Sequence, residues 1–274
     1  MPRINLTGKP ILIAGASSGI GAATAEACAR AGMPVLLSAR REDKLRQVAE
    51  RIRSTGGTAE TIIADVTSPE DCARAVEQCI ERFSSIYSVY ANAGYGLEKP
   101  LHECLLSSPD SDPIRDIFET NFFGTLNAIR PALPHMLETG AGHVLICSSS
   151  IGKFTIPRFG AYCATKAAQT HIARAMNAEL RPKGVFVSGV FPIGTRTEFH
   201  SKGPGIEADG VTKQNTPDFF MQPAEKVAKM IVKCLRRPRA EVWTSTPVRL
   251  MAGLFTAAPN ATDWVLQRTM QEQK

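Results

Sequence analysis

The chain has 274 residues, of which 43% are hydrophobic and 21% charged, and its 32 Lys and Arg against 26 Asp and Glu give a formal net charge of +6. This composition is typical of a globular protein with a sizeable buried core, and it excludes a disordered chain, a collagen and a disulfide scaffold. No apolar run approaches the ~18 to 20 residues of a membrane span, and the first residues lack the apolar region of a secretory signal, so we expect a cytoplasmic protein.

Short apolar runs alternate along the chain with longer helical patterns. Two runs, 11–13 and 144–146, are apolar without interruption, as is typical of parallel strands covered on both faces. Strand followed by helix, repeated, predicts an α/β fold: a Rossmann-type, doubly wound parallel sheet of about seven strands with helices on both faces. The predicted strands are 10–14, 34–38, 59–64, 86–90, 143–147, 185–191 and 241–244. The predicted helices are 19–31, 42–54, 69–83, 114–138 and 161–181.

The domain organisation follows from the absence of a linker or a repeat. Residues 1–245 are predicted to form one domain, interrupted by two irregular stretches at 98–113 and 195–223 that are typical of lids or binding loops. Residues 246–274 are too apolar for a free tail and are predicted to form a hydrophobic helical extension. Three alternatives stay open for it: docking on the same domain or a partner subunit, a flap beside a substrate pocket, or shallow insertion into a membrane surface.

A glycine-rich turn follows the first predicted strand. Gly15-Ala16-Ser17-Ser18-Gly19-Ile20-Gly21 leads directly into an Ala-rich helix. Glycines permit a tight turn and close backbone approach, and the helix N-terminus offers N–H groups and a positive dipole end to a pyrophosphate. The sequence therefore predicts a dinucleotide site at this turn, with a merely structural turn as the alternative. The residues assigned to the site are Gly15, Ser17, Ser18, Gly19, Ile20 and Gly21.

The ends of the next predicted strands contribute further candidates. Arg40 and Arg41 stand where an NAD-binding protein usually places an acidic residue, and a guanidinium there favours the 2′-phosphate of NADP(H). The alternative is a solvated arginine pair. Two more groups fall at the carboxyl edge of the sheet, where ligands of such sheets bind. They are Asp65 and Val66 after the third strand and Asn92, Ala93 and Gly94 after the fourth.

Tyr162 and Lys166 stand four residues apart at the start of a predicted helix, so both side chains project from one face. An adjacent ammonium stabilises a phenolate, so we expect Lys166 to lower the pKa of Tyr162 and to make the phenol useful for acid–base catalysis. A structural role of the pair is the alternative when it is considered in isolation. Ser149 after the fifth strand and Asn121 in the preceding helical segment support the catalytic interpretation.

Taken together, these motifs resemble the short-chain dehydrogenase/reductase family over nearly the whole chain. The resemblance rests on the order of the glycine turn, Asn92-Ala93-Gly94, Asn121, Ser149 and the Tyr162/Lys166 pair. It implies that Tyr162 exchanges a proton with the substrate oxygen and that Ser149 hydrogen-bonds that oxygen. It also implies that Lys166 and Tyr162 contact the bound cofactor, and that Asn121 anchors a water which links Lys166 to solvent.

The family's pattern after the sixth strand is matched less closely. The chain reads Pro192-Ile193-Gly194-Thr195-Arg196-Thr197, with Ile193 where the family usually has Gly. The resemblance assigns Pro192, Ile193, Thr195 and Thr197 to the nicotinamide end of the cofactor, and Ile193 puts the local geometry in doubt. Candidate substrate-pocket residues are apolar or aromatic, which suits a hydrophobic carbonyl or alcohol. They are Tyr95, Ile151, Phe154, Phe159 and Phe199.

Ligands and partners follow from the remaining composition. The seven cysteines form no CxxC pair and no metal-ligand spacing, so we expect reduced thiols and no metal. The densest basic group, Arg236, Arg237 and Arg239, is shorter than a nucleic-acid-binding tract, so no nucleic acid is expected. The resemblance implies a homodimer or homotetramer. The predicted function is an NADP(H)-dependent oxidoreductase, with a non-catalytic NADP(H)-binding regulator or a ketoacyl-thioester reductase as alternatives.

Overall fold

The computed structural model of the protein describes residues 3–108, 110–196 and 221–271, the last three of these in backbone only. Seven parallel strands form one sheet in the order β3-β2-β1-β4-β5-β6-β7, which confirms the predicted doubly wound fold. The strands are β1 (Ile11–Ala14), β2 (Val35–Ala39), β3 (Ala59–Ile63), β4 (Ser88–Ala91), β5 (Gly142–Cys147), β6 (Val185–Phe191) and β7 (Glu241–Trp243).

The helices cover both faces of the sheet. They are α1 (Gly19–Arg30), α2 (Glu42–Ser54), α3 (Pro69–Phe83), α4 (Leu101–Leu105), α5 (Pro113–Phe118), α6 (Gly124–Ile129), α7 (Leu133–Glu138), α8 (Gly160–Leu180), α9 (Ala224–Arg236), α10 (Thr246–Ala257) and α11 (Pro259–Gln271). Shorter turns are π-helical at Glu119–Phe123 and 3₁₀ at Arg130–Ala132, Ser150–Gly152 and Arg181–Lys183.

Alternate side chains of each strand pack into two separate cores. Ile11 and Ile13 of β1 pack with α1, α2 and α9, whereas Leu12 and Ala14 pack with α3, α6 and α8 on the other face. All four residues are buried, which explains why the strand is apolar at every position and not only at every second one. The sheet is therefore the middle layer of three.

The switch point of the sheet lies between β1 and β4. From β1 the chain winds outward through β2 and β3, then returns to β4 on the opposite side of β1. The connections after β1 and β4 thus leave the sheet in opposite directions and open a crevice at their carboxyl ends, which is where open α/β sheets bind ligands. Gly15 and Asn92 are the first residues beyond these two strands.

Two sequence-based assignments need correction. The single helix predicted over 114–138 is a succession of three short α-helices with one π-helical and one 3₁₀ turn between them. Pro131 and Pro134, which lack an N–H group, stand at the starts of the 3₁₀ turn and of α7, where the continuous helix breaks. The stretch 98–113, predicted to be irregular, contains the short helix α4. Most of the other irregular stretch, 197–220, lies outside the described residues.

The C-terminal helices α10 and α11 follow β7. Val248 and Ala252 on α10 are buried, and the Thr256 hydroxyl donates to the carbonyl oxygen of Lys153 at 3.0 Å, so α10 packs on the same domain. The opposite face leaves Leu250 and Leu254 66% and 70% exposed. Within the described part of the chain, none of the helices is long and apolar enough to cross a membrane.

Candidate active site

The glycine turn after β1 is packed so closely, against the turn after β4 and within itself, that there is no room for a side chain at Gly15 or Gly21. Gly15 has φ +80°, and a Cβ atom on it would lie 2.7 Å from the Cα atom of Ala93. A Cβ atom on Gly21 would lie 2.1 Å from the carbonyl oxygen of Gly15. The Asn92 side chain joins the two turns, since its Nδ2 donates to that same carbonyl at 3.0 Å. The turn thus forms a cradle lined by backbone at the switch point, which we call the glycine cradle.

Helix α1 begins at the glycine cradle with its first turn open to an anion. Ser18 is the N-cap residue, yet its hydroxyl makes no capping hydrogen bond, and the first turn carries no acidic side chain. Ser17 and Ser18 instead accept hydrogen bonds from the Arg41 guanidinium at 2.9 and 2.7 Å. Uncapped N–H groups, such as those of Gly19 and Ile20, fit the pyrophosphate of a dinucleotide. These residues fit the cofactor that the family resemblance implies.

Arg40 and Asp65 meet beyond the ends of β2 and β3. The Arg40 Nη1 atom lies 3.5 Å from Asp65 Oδ2, and 77% of the Arg40 side chain is exposed. The neighbouring Val66 is buried, and its carbonyl oxygen accepts from Asn127 Nδ2 at 3.0 Å. The structure therefore places Arg40, Asp65 and Val66 along the carboxyl edge of the sheet, where Arg41 also lies.

The first turns of α8 carry Tyr162 and Lys166 in buried positions, 8% and 3% exposed. The Ser149 side chain forms a hydrogen bond with the Tyr162 hydroxyl. The Lys166 Nζ atom lies 5.5 Å from the centroid of the Tyr162 ring and donates to the carbonyl oxygen of Cys147 at 2.8 Å. The structure thus brings together a hydroxyl, a phenol and an ammonium at one place on the sheet edge.

Burial governs the protonation of Tyr162 and Lys166. It raises the pKa of Tyr162 well above the ordinary range of a phenol, and the hydrogen bond from Ser149 offsets this only in part. Burial also lowers the pKa of Lys166 to about 8. The net shift of the Tyr162 pKa is therefore upward, because the phenolate loses its hydration on burial, and the expected lowering by Lys166 stays a prediction.

Asn121 lies in the π-helical turn Glu119–Phe123 and is fully buried. Its Oδ1 accepts from the N–H group of Tyr95 at 2.9 Å, and its Nδ2 donates to the Tyr95 carbonyl at 3.0 Å. Nδ2 also donates to Thr165 Oγ1 at 3.3 Å. A Cβ atom on Gly94 would lie 2.7 Å from Asn121 Oδ1, so the glycine permits this contact. Asn121 therefore ties the loop after β4 to α8.

Gln169 completes the buried network, and the sequence analysis did not single it out. Its side chain is 1% exposed. Its Oε1 accepts from Lys166 Nζ at 2.9 Å, and its Nε2 donates to the main-chain carbonyl of Asn121 at 2.6 Å. The resemblance implies a water anchored by Asn121 that links Lys166 to solvent, and in this structure the Gln169 amide hydrogen-bonds both residues. Its helical spacing, three residues after Lys166 and seven after Tyr162, was the available signal.

An apolar cluster surrounds Tyr162. Three of the predicted pocket residues, Tyr95, Ile151 and Phe159, belong to it. The Phe159 ring stands edge-on to the Tyr162 ring, with centroids 6.5 Å apart. The surroundings of the phenol are therefore hydrophobic. Members that the sequence analysis missed are Leu97, Ile114, Ile117, Phe118 and Ala161.

Other predicted residues lie elsewhere or outside the described part. Phe154 does not join the cluster at Tyr162, because its ring packs edge-on against Phe255 of α10 with centroids 5.4 Å apart. This contact holds α10 on the domain, and the assignment of Phe154 to the substrate pocket stays a prediction. Thr197 and Phe199 lie outside the described residues.

The segment after β6 lies next to the serine turn. The carbonyl oxygen of Pro192 accepts from the N–H group of Ser150 at 3.0 Å. Thr195 Oγ1 donates to the carbonyl oxygen of Ile193 at 2.8 Å, and the Ile193 N–H group lies 3.4 Å from Thr244 Oγ1. Ile193 is thus accommodated in an ordered turn beside the site, where the family usually has Gly.

No metal centre accompanies this network in the described ranges, where no group of three or more His, Cys, Asp or Glu side chains is placed to hold an ion. All seven cysteines are buried and free of disulfides. The side chains that the structure places at the site carry hydroxyl, phenol, amide and ammonium groups, and they lie near the glycine cradle.

Comparisons with known proteins identify the family of this chain. The family model for short chain dehydrogenase matches residues 9–204. The A-factor type gamma-butyrolactone 1'-reductase (1S-forming) of Streptomyces virginiae is 37% identical over 195 residues, which are 70% of this chain and 74% of that protein.

Two solved structures extend the comparison. An alcohol dehydrogenase from the archaeon Thermococcus sibiricus, complexed with 5-hydroxy-NADP, is 28% identical with a TM-score of 0.72, covering 86% of this chain and 95% of that one. A 7 alpha-hydroxysteroid dehydrogenase complexed with NADH and 7-oxo glycochenodeoxycholic acid is 27% identical with a TM-score of 0.73, covering 85% and 89%. The chain belongs to the short-chain dehydrogenase/reductase family of NAD(P)-dependent oxidoreductases.

Proposed function

We propose that the protein interconverts a carbonyl group and a secondary alcohol on a hydrophobic small molecule, with NADP(H) as its cofactor. The observation that carries the proposal is the group of half-buried Ser149 with buried Tyr162 and Lys166, at the sheet edge that also bears the glycine cradle. A proton donor, a second hydrogen-bonding hydroxyl and a cation at one point are what carbonyl reduction requires of a protein.

The four residues have distinct roles in the proposed reduction. When bound, the cofactor supplies the hydride. Because burial keeps the pKa of Tyr162 high, the phenol is protonated at neutral pH and donates its proton to the carbonyl oxygen of the substrate. Ser149 holds the same oxygen by a hydrogen bond. Lys166 keeps a positive charge 5.5 Å from the Tyr162 ring, where it stabilises the phenolate left behind, and Asn121 fixes the adjoining loop.

The preference for NADP(H) is proposed from the residues that follow β2. No carboxylate stands between Ala39, the last residue of β2, and Glu42. The Arg41 guanidinium already lies at the glycine cradle, and Arg40 is largely exposed and pairs with Asp65. Both guanidinium groups can form charge-assisted bonds to a 2′-phosphate. The two solved relatives bind one form of the cofactor each, so the preference rests on these arginines.

The substrate class is proposed from the apolar cluster at Tyr162. Tyr95, Ile151 and Phe159 present aromatic and aliphatic surface there, which favours a hydrophobic carbonyl over a small charged one. One relative is a reductase of a γ-butyrolactone, and another binds an oxidised bile acid, which is a largely hydrophobic ketone. The proposed substrates are therefore lipid-like, steroid-like or aromatic ketones.

The C-terminal extension and the oligomeric state belong to the same proposal. Residues 246–274 dock on the domain through α10, whose Phe255 contacts Phe154, and the opposite face with Leu250 and Leu254 meets a partner subunit of a homo-oligomer. Removal of the residues after Ser245 should lower the oligomer mass measured by light scattering. An unchanged mass would contradict subunit docking through this extension.

The proposed function is tested by incubating the protein with NADPH and a panel of steroid, lactone-type, aromatic and small charged ketones, and following NADPH consumption by absorbance. We expect turnover of hydrophobic ketones that is lost in Tyr162→Phe and retained in Tyr87→Phe. Tyr87 is an equally buried control that lies beneath Lys9, away from the serine turn. Tight NADPH binding without turnover of any ketone would favour the regulator, and turnover of carrier-bound thioesters alone would favour the ketoacyl-thioester reductase.

A further inference from the structure

The polar network behind Tyr162 ends at Gln169, a side chain with no role in the proposed chemistry so far. It is almost fully buried on α8, one turn beyond Lys166. Its amide makes three hydrogen bonds: Oε1 accepts from Lys166 Nζ, and Nε2 donates to the Asn121 carbonyl and to Thr125 Oγ1, the last at 2.7 Å. Every hydrogen of the amide group and its oxygen therefore have a partner.

Only one orientation of the Gln169 amide satisfies these partners. Turning the amide over would place its NH₂ group against the Lys166 ammonium and its oxygen against the Asn121 carbonyl oxygen. Two donors would then face each other, and so would two acceptors, in a site closed to water. The network thus fixes the amide oxygen toward Lys166.

The Lys166 ammonium relies on few groups to stay charged in this buried position. Its oxygen contacts are the Cys147 carbonyl at 2.8 Å and Gln169 Oε1 at 2.9 Å. The titratable groups that face it are Tyr162 from its own helix and Cys147 from β5, and no carboxylate of the described residues forms an ion pair with it. One of the two neutral oxygens that stabilise the charge therefore comes from Gln169.

We propose that Gln169 is a positioning residue that keeps the Lys166 ammonium charged and in place behind Tyr162. Its amide oxygen holds the ammonium, and its amide nitrogen anchors the amide to the turn that contains Asn121. The inference rests on the proposed function, because it assigns Lys166 the task of stabilising the Tyr162 phenolate.

The first test measures the protonation of Lys166 directly and needs no substrate. In protein labelled with ¹³C at the lysine side chains, NMR titration follows each Cε signal, and Lys166→Met identifies the one of interest. Gln169→Leu removes the oxygen and should lower the pKa of Lys166 by about one to two units, the equivalent of one hydrogen bond to a charged group. Gln169→Glu keeps an oxygen at this position, and the pKa should stay or rise.

The second test uses turnover with a ketone that the wild-type protein reduces. In Gln169→Leu the alkaline limb of kcat should move to lower pH, while KM for the ketone stays within a few-fold. At a fixed pH above that limb, kcat should fall about tenfold for each unit by which the pKa of Lys166 is lowered. Gln169→Glu should restore the limb. The matched control is Gln78→Leu on α3, whose side chain donates to the Thr61 carbonyl away from the site, and it should change neither measurement.

The outcomes separate the two proposals. If the wild-type protein reduces ketones but the pKa of Lys166 and the alkaline limb are the same in folded Gln169→Leu as in the wild type, Gln169 is merely structural and the inference is overturned. If the wild-type protein reduces no ketone, the proposed function fails, while the NMR titration still decides whether Gln169 controls Lys166. Thermal unfolding establishes that each variant is folded. If Gln169→Leu does not fold, the NMR titration of Lys166 is carried out on Gln169→Glu.

Discussion

Replacing Arg40 and Arg41 by alanine, one at a time, tests the cofactor preference at the residues beside the glycine cradle. The exposed pair of Arg40 with Asp65, at 3.5 Å, contributes at most about 1 kcal/mol, so Arg40 can leave it for a phosphate at little cost. A charge-assisted bond to a 2′-phosphate contributes about 1.5 to 3 kcal/mol. The net gain of about 0.5 to 2 kcal/mol predicts that Arg40→Ala lowers kcat/KM for NADPH by roughly 2- to 30-fold.

Arg41→Ala should have the larger effect. Its guanidinium is held at the glycine cradle by hydrogen bonds to Ser17 and Ser18, so it is positioned before a phosphate binds. We expect a loss of roughly ten- to hundredfold in kcat/KM for NADPH. The value for NADH should change by less than a few-fold in both variants, because NADH lacks the 2′-phosphate.

The assay compares initial rates with NADPH and NADH on the same ketone. Arg46→Ala on α2 is the matched control, because Arg46 is an exposed arginine that pairs with Glu42 within its own helix. The reasoning would be refuted by equal wild-type kcat/KM values for the two cofactors, or by Arg40→Ala and Arg41→Ala variants that lose activity with NADH as much as with NADPH.

Three further predictions test the site and the fold. Tyr162→Phe should lower kcat by about a hundredfold or more, with NADPH affinity unchanged in a fluorescence titration, since only the proton donor is lost. Gly21→Ala should abolish NADPH binding measured by calorimetry, because the new Cβ would lie 2.1 Å from the Gly15 carbonyl oxygen. Burial lowers the pKa of His143 to about 3. Between about pH 6.5 and 3 this histidine therefore binds a proton in the unfolded chain but not in the folded one, so the folded protein loses stability as the pH falls through this range. By pH 5 the loss should reach about 2 kcal/mol in urea unfolding, and His143→Gln should remove it; an equal loss in this variant would assign the acid sensitivity to other groups.

The fold could be predicted because its signals are local. Parallel strands covered on both faces are apolar at every position, as in Leu12 and its neighbours, and each is followed by an amphipathic helix such as α2. The break of 114–138 into short helices was missed although Pro131 and Pro134 mark part of it. The π-helical turn that carries Asn121 has no such mark, since its shape depends on contacts with the loop after β4 and with α8.

The site could be predicted as a set of residues but not as a network. Motif order identifies Tyr162 and Lys166, yet the dominance of burial over charge in their pKa values depends on helices and strands that pack around them. The sequence also does not show which distant residues meet in space. Arg236 and Arg237 line one groove with Arg3 and Arg30, which are far away in sequence. In the sequence, Arg236 and Arg237 belong to a short isolated basic group. The packing of α1 on α9 brings this group together with the distant arginines.

The pKa values of Tyr162 and Lys166 determine which of the two groups loses its proton first as the pH rises in the proposed reaction. The pKa of Tyr162 is raised far above neutrality and that of Lys166 is lowered to about 8, so the ammonium is lost first as the pH rises. Reduction needs Tyr162 to start protonated, which holds well into the alkaline range, so the alkaline loss of reductase activity should report Lys166 and not the tyrosine. Oxidation needs the phenolate at the start, which burial opposes. The protonated phenol is the form that the proposed reduction requires, and the hydrogen bonds of Lys166 to the Cys147 carbonyl and Gln169 Oε1 help this lysine to stay charged as the pH rises.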